Sequence, residues 1–125
     1  MKHRIRILAA DLEWTAELLD NETGSAIWEA LPIEGKVHRW GEEIYFEIPV
    51  KLPEASDARQ EMAVGELAYW PVGAAFCIFF GPTPVSVSGE PRAYSNVNPC
   101  GRLLDDPISL SDVPEGAILR LERIE

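Results

Sequence analysis

The sequence is poor in the side chains that carry most metal and redox chemistry, with two cysteines and two histidines in 125 residues. A zinc site draws several ligands from His, Cys and carboxylates converging on one point. His3 and His38 are the only imidazoles available. His38 and Glu42 stand four apart, a spacing that joins side chains on a helix but separates them by about 13 Å on a strand. We expect neither metal nor cofactor. The two thiols allow one bridge, but Cys77 sits inside an apolar run, and free thiols are expected in a reducing compartment. Basic residues are also few, 11 against 21 acidic, for a net charge of −10. Acids lead in both halves, 13 to 7 over positions 1–62 and 8 to 4 thereafter. Affinity for phosphate comes mainly from Lys and Arg, so nucleic acid is a poor partner for this chain. No long apolar run occurs: Ala74 to Phe80 is the longest, far below the roughly 20 residues of a membrane helix. Charge interrupts Met1 to Arg6, leaving no continuous apolar signal region. The expected location is the cytoplasm, with no membrane partner.

Hydrophobic residues make up 46% of the chain, enough for one core without staples, since folding at this size hides about two-thirds of the unfolded surface. We expect one domain over residues 1–125. Arg4 to Ala9 alternates charged and apolar residues and, with Leu12 to Leu19, predicts an opening pair of strands. Asp20 to Gly24 is a run of turn formers that can cap a short helix from Ser25 to Leu31, stopped by Pro32. Beyond Val37 the period becomes two-fold: Ile44, Phe46, Ile48 and Val50 share one face, and Glu43, Tyr45 and Glu47 the other. Pro53 to Arg59 predicts a surface loop. Leu67 to Trp70 and Ala74 to Phe80 form a hairpin about Pro71-Val72-Gly73. Asn96 to Leu103, interrupted by Pro99 and Gly101, a helical turn between Asp105 and Asp112, and a last strand from Ile118 to Ile124 complete the chain. Many short strands in so small a chain favour a closed β-barrel or a sandwich, and the barrel is the expectation, because closure removes exposed edges.

Three blocks then resemble a known family. Trp40-Gly41-Glu42-Glu43-Ile44-Tyr45-Phe46 with Pro49-Val50, Gly65-Glu66-Leu67-Ala68-Tyr69-Trp70-Pro71-Val72-Gly73, and Phe79-Phe80-Gly81-Pro82-Thr83-Pro84 are similar to the signature blocks of the small prokaryotic cyclophilin-like proteins, an uncharacterised family with an atypical cyclophilin fold. With Asn96-Val97-Asn98 and Gly101-Arg102 the resemblance extends over about residues 37–125. It implies an all-β fold, an eight-stranded cyclophilin-like barrel capped by two short helices. The wider cyclophilin group isomerises X-Pro amides, a rotation with a barrier of about 18–20 kcal/mol, typically using an Arg guanidinium and an apolar proline pocket. Its motif runs Phe-His-Arg, then Phe, then Gln-Gly-Gly-Asp. Here Val37-His38-Arg39 echoes the first part, but Trp40 to Ile44 follows and the Gln has no matched position. The activity is therefore not carried over, and no catalytic residue is assigned.

The residues exclude other chemistries more directly. There is no Gly-x-Ser-x-Gly elbow, and Gly65, Gly73 and Gly81 are spaced as hairpin punctuation, not as a phosphate loop. Glu42 and Glu43 are adjacent on a strand and point to opposite faces, so they cannot act on one substrate atom; a solvated Glu43 is the simpler expectation. The aromatic pattern is more informative. From Ala74 to Phe80 both strand faces are apolar, so the outward one needs a cover: a capping helix, a second subunit or a ligand. Tyr45 lies among acids on the outer face, and Tyr69 and Trp70 adjoin the Pro71 turn. We expect an outer-face aromatic groove for a small molecule or an extended peptide. Tyr69 would line it, Tyr45, Trp70 and Phe79 would supply apolar area, and Arg39, Glu43, Thr83 and Asn98 would orient polar atoms. Two other roles stay open: a weak or atypical prolyl isomerase, and an interaction subunit or homo-oligomer related to amide-hydrolysing assemblies.

Overall fold

Alternation along the first fourteen or so residues decides the first pairing in the computed structural model, which describes residues 3–124. The termini of the expected 1–125 domain, Met1, Lys2 and Glu125, lie outside the described residues. β1 (His3–Ala9) and β2 (Leu12–Leu18) run antiparallel with Ile7 opposite Trp14 and Ile5 opposite Ala16, all four buried. Their charged neighbours Arg6 and Glu13 point outward and pair at 2.9 Å. This is the two-residue period of a pleated strand with one wet face. α1 (Glu22–Ala30) follows; the Asn21 side chain accepts from the Gly24 amide at 2.8 Å, satisfying one of the unpaired N–H groups of the first turn.

The remaining elements are β3 (Ile33–Lys36), β4 (His38–Arg39), β5 (Glu43–Glu47), β6 (Arg59–Glu61), β7 (Glu66–Trp70), β8 (Ala75–Phe79), β9 (Arg92–Leu103), a 3-10 helix (Pro107–Asp112) and β10 (Ile118–Arg123). All ladders are antiparallel, in the spatial order β3-β10-β1-β2-β9-β7-β8-β5-β4, with β6 paired to β9. The protein is mainly β, as the sequence predicts, but the closed eight-stranded barrel needs correction. Among the described residues the sheet has ten strands, and its hydrogen bonds do not close. The reason lies in residues 33–39. β3 directs its ladder to β10 and β4 directs its own to β5, so the two ends of the sheet are joined through one residue, Val37. Val37 itself bonds Ala117 and Gly116 at 2.9 Å each. Gly35 rests against the Phe46 ring, where a Cβ would lie 2.7 Å from Cδ2.

The inner faces meet in one core that includes Ile5, Ile7, Trp14, Leu18, Ile44, Phe46, Phe76 and Ile78. Each such side chain contributes about 1.5–3 kcal/mol when fully buried. Ile27 of α1 and Leu110 of the 3-10 helix enter this core, and Trp14 donates its indole N–H to Ser109 at 3.0 Å. The Val37 to Val50 stretch is not continuous strand. It breaks between β4 and β5, where Gly41 adopts φ +61 and leaves no room for a Cβ beside Pro84 and Thr83.

The outward face of β8 is covered by a strand pair of the same chain. β9 is 12 residues long and serves two layers. Its later part lies in the sheet between β2 and β7, with a register shift near Pro99, a residue that cannot donate to a ladder. Its earlier part pairs with β6 and crosses the outside of β7 and β8. Met62, Ala68, Cys77, Phe79, Ala93 and Val97 form the resulting second buried cluster, with Tyr45 and Trp70 packed at its margin. Gln60 donates to the Ala93 carbonyl at 3.0 Å, and the Arg92–Glu61 and Arg59–Glu66 ion pairs fasten the strand pair at its rim.

Candidate functional site

A pocket of about 150 Å³ opens where this cover ends. Trp40, Glu43, Tyr45, Trp70, Ala93, Tyr94 and Val97 line it. The pleat of β5 turns Glu43 and Tyr45 outward while Ile44 and Phe46 enter the core, as the sequence predicts. Register places Glu43 opposite Phe79 and Tyr45 opposite Cys77. Trp70 stands at the end of β7 and donates its indole N–H to Ser95 at 2.8 Å, which ties the ring to the covering strand. Gly73 leaves space for the indole, since a Cβ there would approach the Trp70 ring within 2.6 Å. The β4–β5 turn carries Trp40.

Four rings form a chain around the opening. Tyr45 and Trp70 have centroids 6.2 Å apart, Trp70 and Tyr94 6.1 Å, and Trp40 and Tyr94 5.9 Å, with interplanar angles of 79°, 80° and 74°. Such edge-to-face pairs place the positive rim of one ring on the negative face of the next. His38 sits on the far side of Tyr45 with centroids 5.4 Å apart, and is held by Glu115 at 3.0 Å.

Glu43 is the polar exception. It is 5% exposed, contrary to the expectation of a solvated carboxylate. The covering strands remove it from water, and burial pushes its carboxyl up to about 7 from the ordinary 4.5, a hydrogen bond with the Cys77 thiol pulling the other way. Burial also raises the Tyr45 hydroxyl, with the Glu43 and Glu115 charges adding to the shift. The Cys77 thiol is driven well up by burial and by the Glu43 carboxylate, which makes it a hydrogen-bond partner and not a nucleophile. A carboxyl poised near neutrality at the base of an apolar pocket can hold either a proton or a cation.

Of the eight residues expected in the groove, the structure brings Glu43, Tyr45 and Trp70 together. Phe79 is fully buried beneath them, in the second cluster. The other four stand elsewhere, each with a structural partner. Tyr69 is buried in the main core, where its hydroxyl donates to Val50 at 2.6 Å and accepts from Leu52 at 3.1 Å. It belongs to the opposite face of β7 from Trp70. Asn98 is 1% exposed and holds Pro53 and Ala55 at 3.1 and 2.8 Å, pinning the loop before β6. Thr83 is buried and donates to Arg92 at 2.5 Å. Arg39 turns to the C-terminal end of the 3-10 helix, donating to the carbonyls of Ser111, in its last turn, and Val113, its cap, at 2.8 and 3.0 Å, with Glu42 at 3.3 Å and the Phe80 ring under its guanidinium. Sequence reasoning missed Trp40, Ala93, Tyr94 and Val97 as lining. A signal existed for part of this, since Ala93, Ser95 and Val97 alternate with Tyr94 and Asn96. Nothing local said which side of which sheet that alternation would cover.

An antiparallel β fold with a small aromatic pocket on its outer face defines the class of the protein. The chain belongs to the cyclophilin-like family, whose model matches residues 3–122. It is similar to a hypothetical protein of Archaeoglobus fulgidus solved in solution, at 36% identity and a TM-score of 0.83, over 98% of this chain and 95% of that one. No curated protein matches the chain. Among the described residues no helix is long and apolar enough to cross a membrane.

Proposed function

We propose that the protein is a binding module that takes a small molecule, or one side chain of an extended peptide, in the outer-face pocket, without the prolyl isomerase activity of the wider cyclophilin group. The observation that carries this reading is the open set of four rings around a single buried carboxyl: apolar area with one placed polar group is the usual composition of a ligand site. A volume near 150 Å³ suits a group the size of one ring or a branched alkyl head, so a larger ligand would leave its remainder on the surface. The isomerase alternative lacks support at Arg39. Its guanidinium is already bonded to two backbone carbonyls at the end of the 3-10 helix and lies apart from the pocket lining. We also infer that the sheet, its two ends linked through Val37, acts mechanically as a closed cylinder that keeps the pocket's base rigid.

The reading is tested by a thermal-shift screen of metabolites on the intact protein and on Tyr94→Ala. Tyr94 is 68% exposed, so its removal spares the fold. A compound at a hundred times its dissociation constant adds about 2.7 kcal/mol of stability, a shift easily read. Stabilisation that disappears in Tyr94→Ala is the expected result. Hits that stabilise both proteins equally would place binding elsewhere and remove the proposal.

A further inference from the structure

Resting on that reading, we infer that the pocket's ligand is an organic cation, a methylated or otherwise alkylated ammonium group that seats among Trp40, Tyr45, Trp70 and Tyr94 with Glu43 as its counter-charge. Several observations converge on this class. Aromatic faces carry a negative quadrupole and attract ammonium groups, and the attraction strengthens where water is excluded. The four rings are not stacked flat on one another; their mutual angles of 74° to 80° make them walls and leave a space between them. The one ionisable carboxyl in the lining is acidic, and no Lys or Arg lines the pocket. The whole chain, at net charge −10, draws cations and repels anions. A trimethylammonium head is a compact tetrahedral group that a pocket of about 150 Å³ can admit.

An anionic ligand would face Glu43 with no compensating base. A neutral apolar ligand would leave the carboxyl buried and idle, at the desolvation cost that already holds it near neutrality. A cation resolves both problems, because its opposite charge favours the ionised carboxylate in place of the water that burial has removed.

The probe is choline, compared with its uncharged isostere in which carbon replaces the nitrogen, titrated into the intact protein at mildly alkaline pH. The readout is the indole N–H resonances of Trp40 and Trp70 in nuclear magnetic resonance spectra. The inference expects choline to move both signals to saturation, with the isostere at least roughly tenfold weaker, in keeping with a desolvated cation–π site and an ion pair. Glu43→Gln is expected to weaken choline by a similar factor and leave the isostere unchanged. Should Glu43→Gln fold poorly, Tyr94→Ala gives the same comparison from an exposed wall of the pocket, and choline should weaken more than the isostere. If the isostere matches choline at the same indoles, the pocket binds ligands but the cation assignment is wrong. If choline moves neither indole, the cation assignment also falls, and the screen with Tyr94→Ala decides separately whether the pocket is used.

Discussion

Glu43 is the residue on which charge, stability and binding meet. A carboxyl whose folded pKa exceeds its unfolded value holds more protons folded than unfolded between the two, so stability falls as pH rises through that window. For Glu43 the window runs from about 4.5 to about 7. Below it the contribution is fully present; above it about 3 kcal/mol is lost, as an order of magnitude from the shift. Glu43→Gln should therefore match the parent protein near pH 5 and exceed it near pH 8, measured by urea unfolding at both values. A variant no more stable at the higher pH would mean that the carboxyl is not desolvated. Choline affinity should grow across the same range as the counter-charge forms. The titratable groups near Glu43 are Tyr45 beside it on β5, Cys77 on β8 and Tyr94 on β9, with His38 of β4 and Glu115 behind Tyr45. His38→Gln separates the imidazole from the effect and should leave the pH profile of choline binding in place. At Tyr69 the expectation is purely structural. Tyr69→Phe strands the Val50 carbonyl and the Leu52 amide and should cost about 1–3 kcal/mol in denaturant unfolding, without change in the Trp70 indole signal.

Among the elements, the covering pair of β6 and the first part of β9 shapes the pocket. It is held by one small apolar cluster and by rim ion pairs, and exposed ion pairs contribute little. The sheet beneath is held by the larger core. Hydrogen exchange should therefore find the amides of Arg59–Glu61 opening at lower free energy than those of β1 and β2. Equal protection would mean that the cover and the sheet unfold as one unit. Met62→Ala removes the side chain that the residue directly after β6 contributes to the second cluster and should cost about 2–4 kcal/mol while accelerating exchange in the cover. Strand alternation at β1 and β5 was readable from the chain, because side chains on a pleated backbone change face at each residue regardless of distant contacts, and β8 was readable as a run apolar on both faces. β6 was not readable. Three polar residues, Arg59, Gln60 and Glu61, carry no apolar period, and they are strand only because β9 offers them partners.

At the scale of the whole molecule, Arg39 is committed to the C-terminal end of the 3-10 helix, so the protein should leave the isomerisation rate of a Pro-containing peptide unchanged even at high protein concentration. An accelerated rate abolished by Arg39→Ala would restore the isomerase reading. The sequence alone determined the β class, the paired faces of β5 and the need for a cover over β8, since each follows from the period of the backbone and from counting apolar positions. Tertiary structure alone decided that the hydrogen-bonded sheet ends at β3 and β4, that β9 folds back as the cover, and that Glu43 loses its water. These outcomes depend on which residues far apart in the chain become neighbours. A carboxyl between Glu42 and Ile44 reads as solvated until Cys77, Ala93 and Val97 close over it, and no local pattern records that distance.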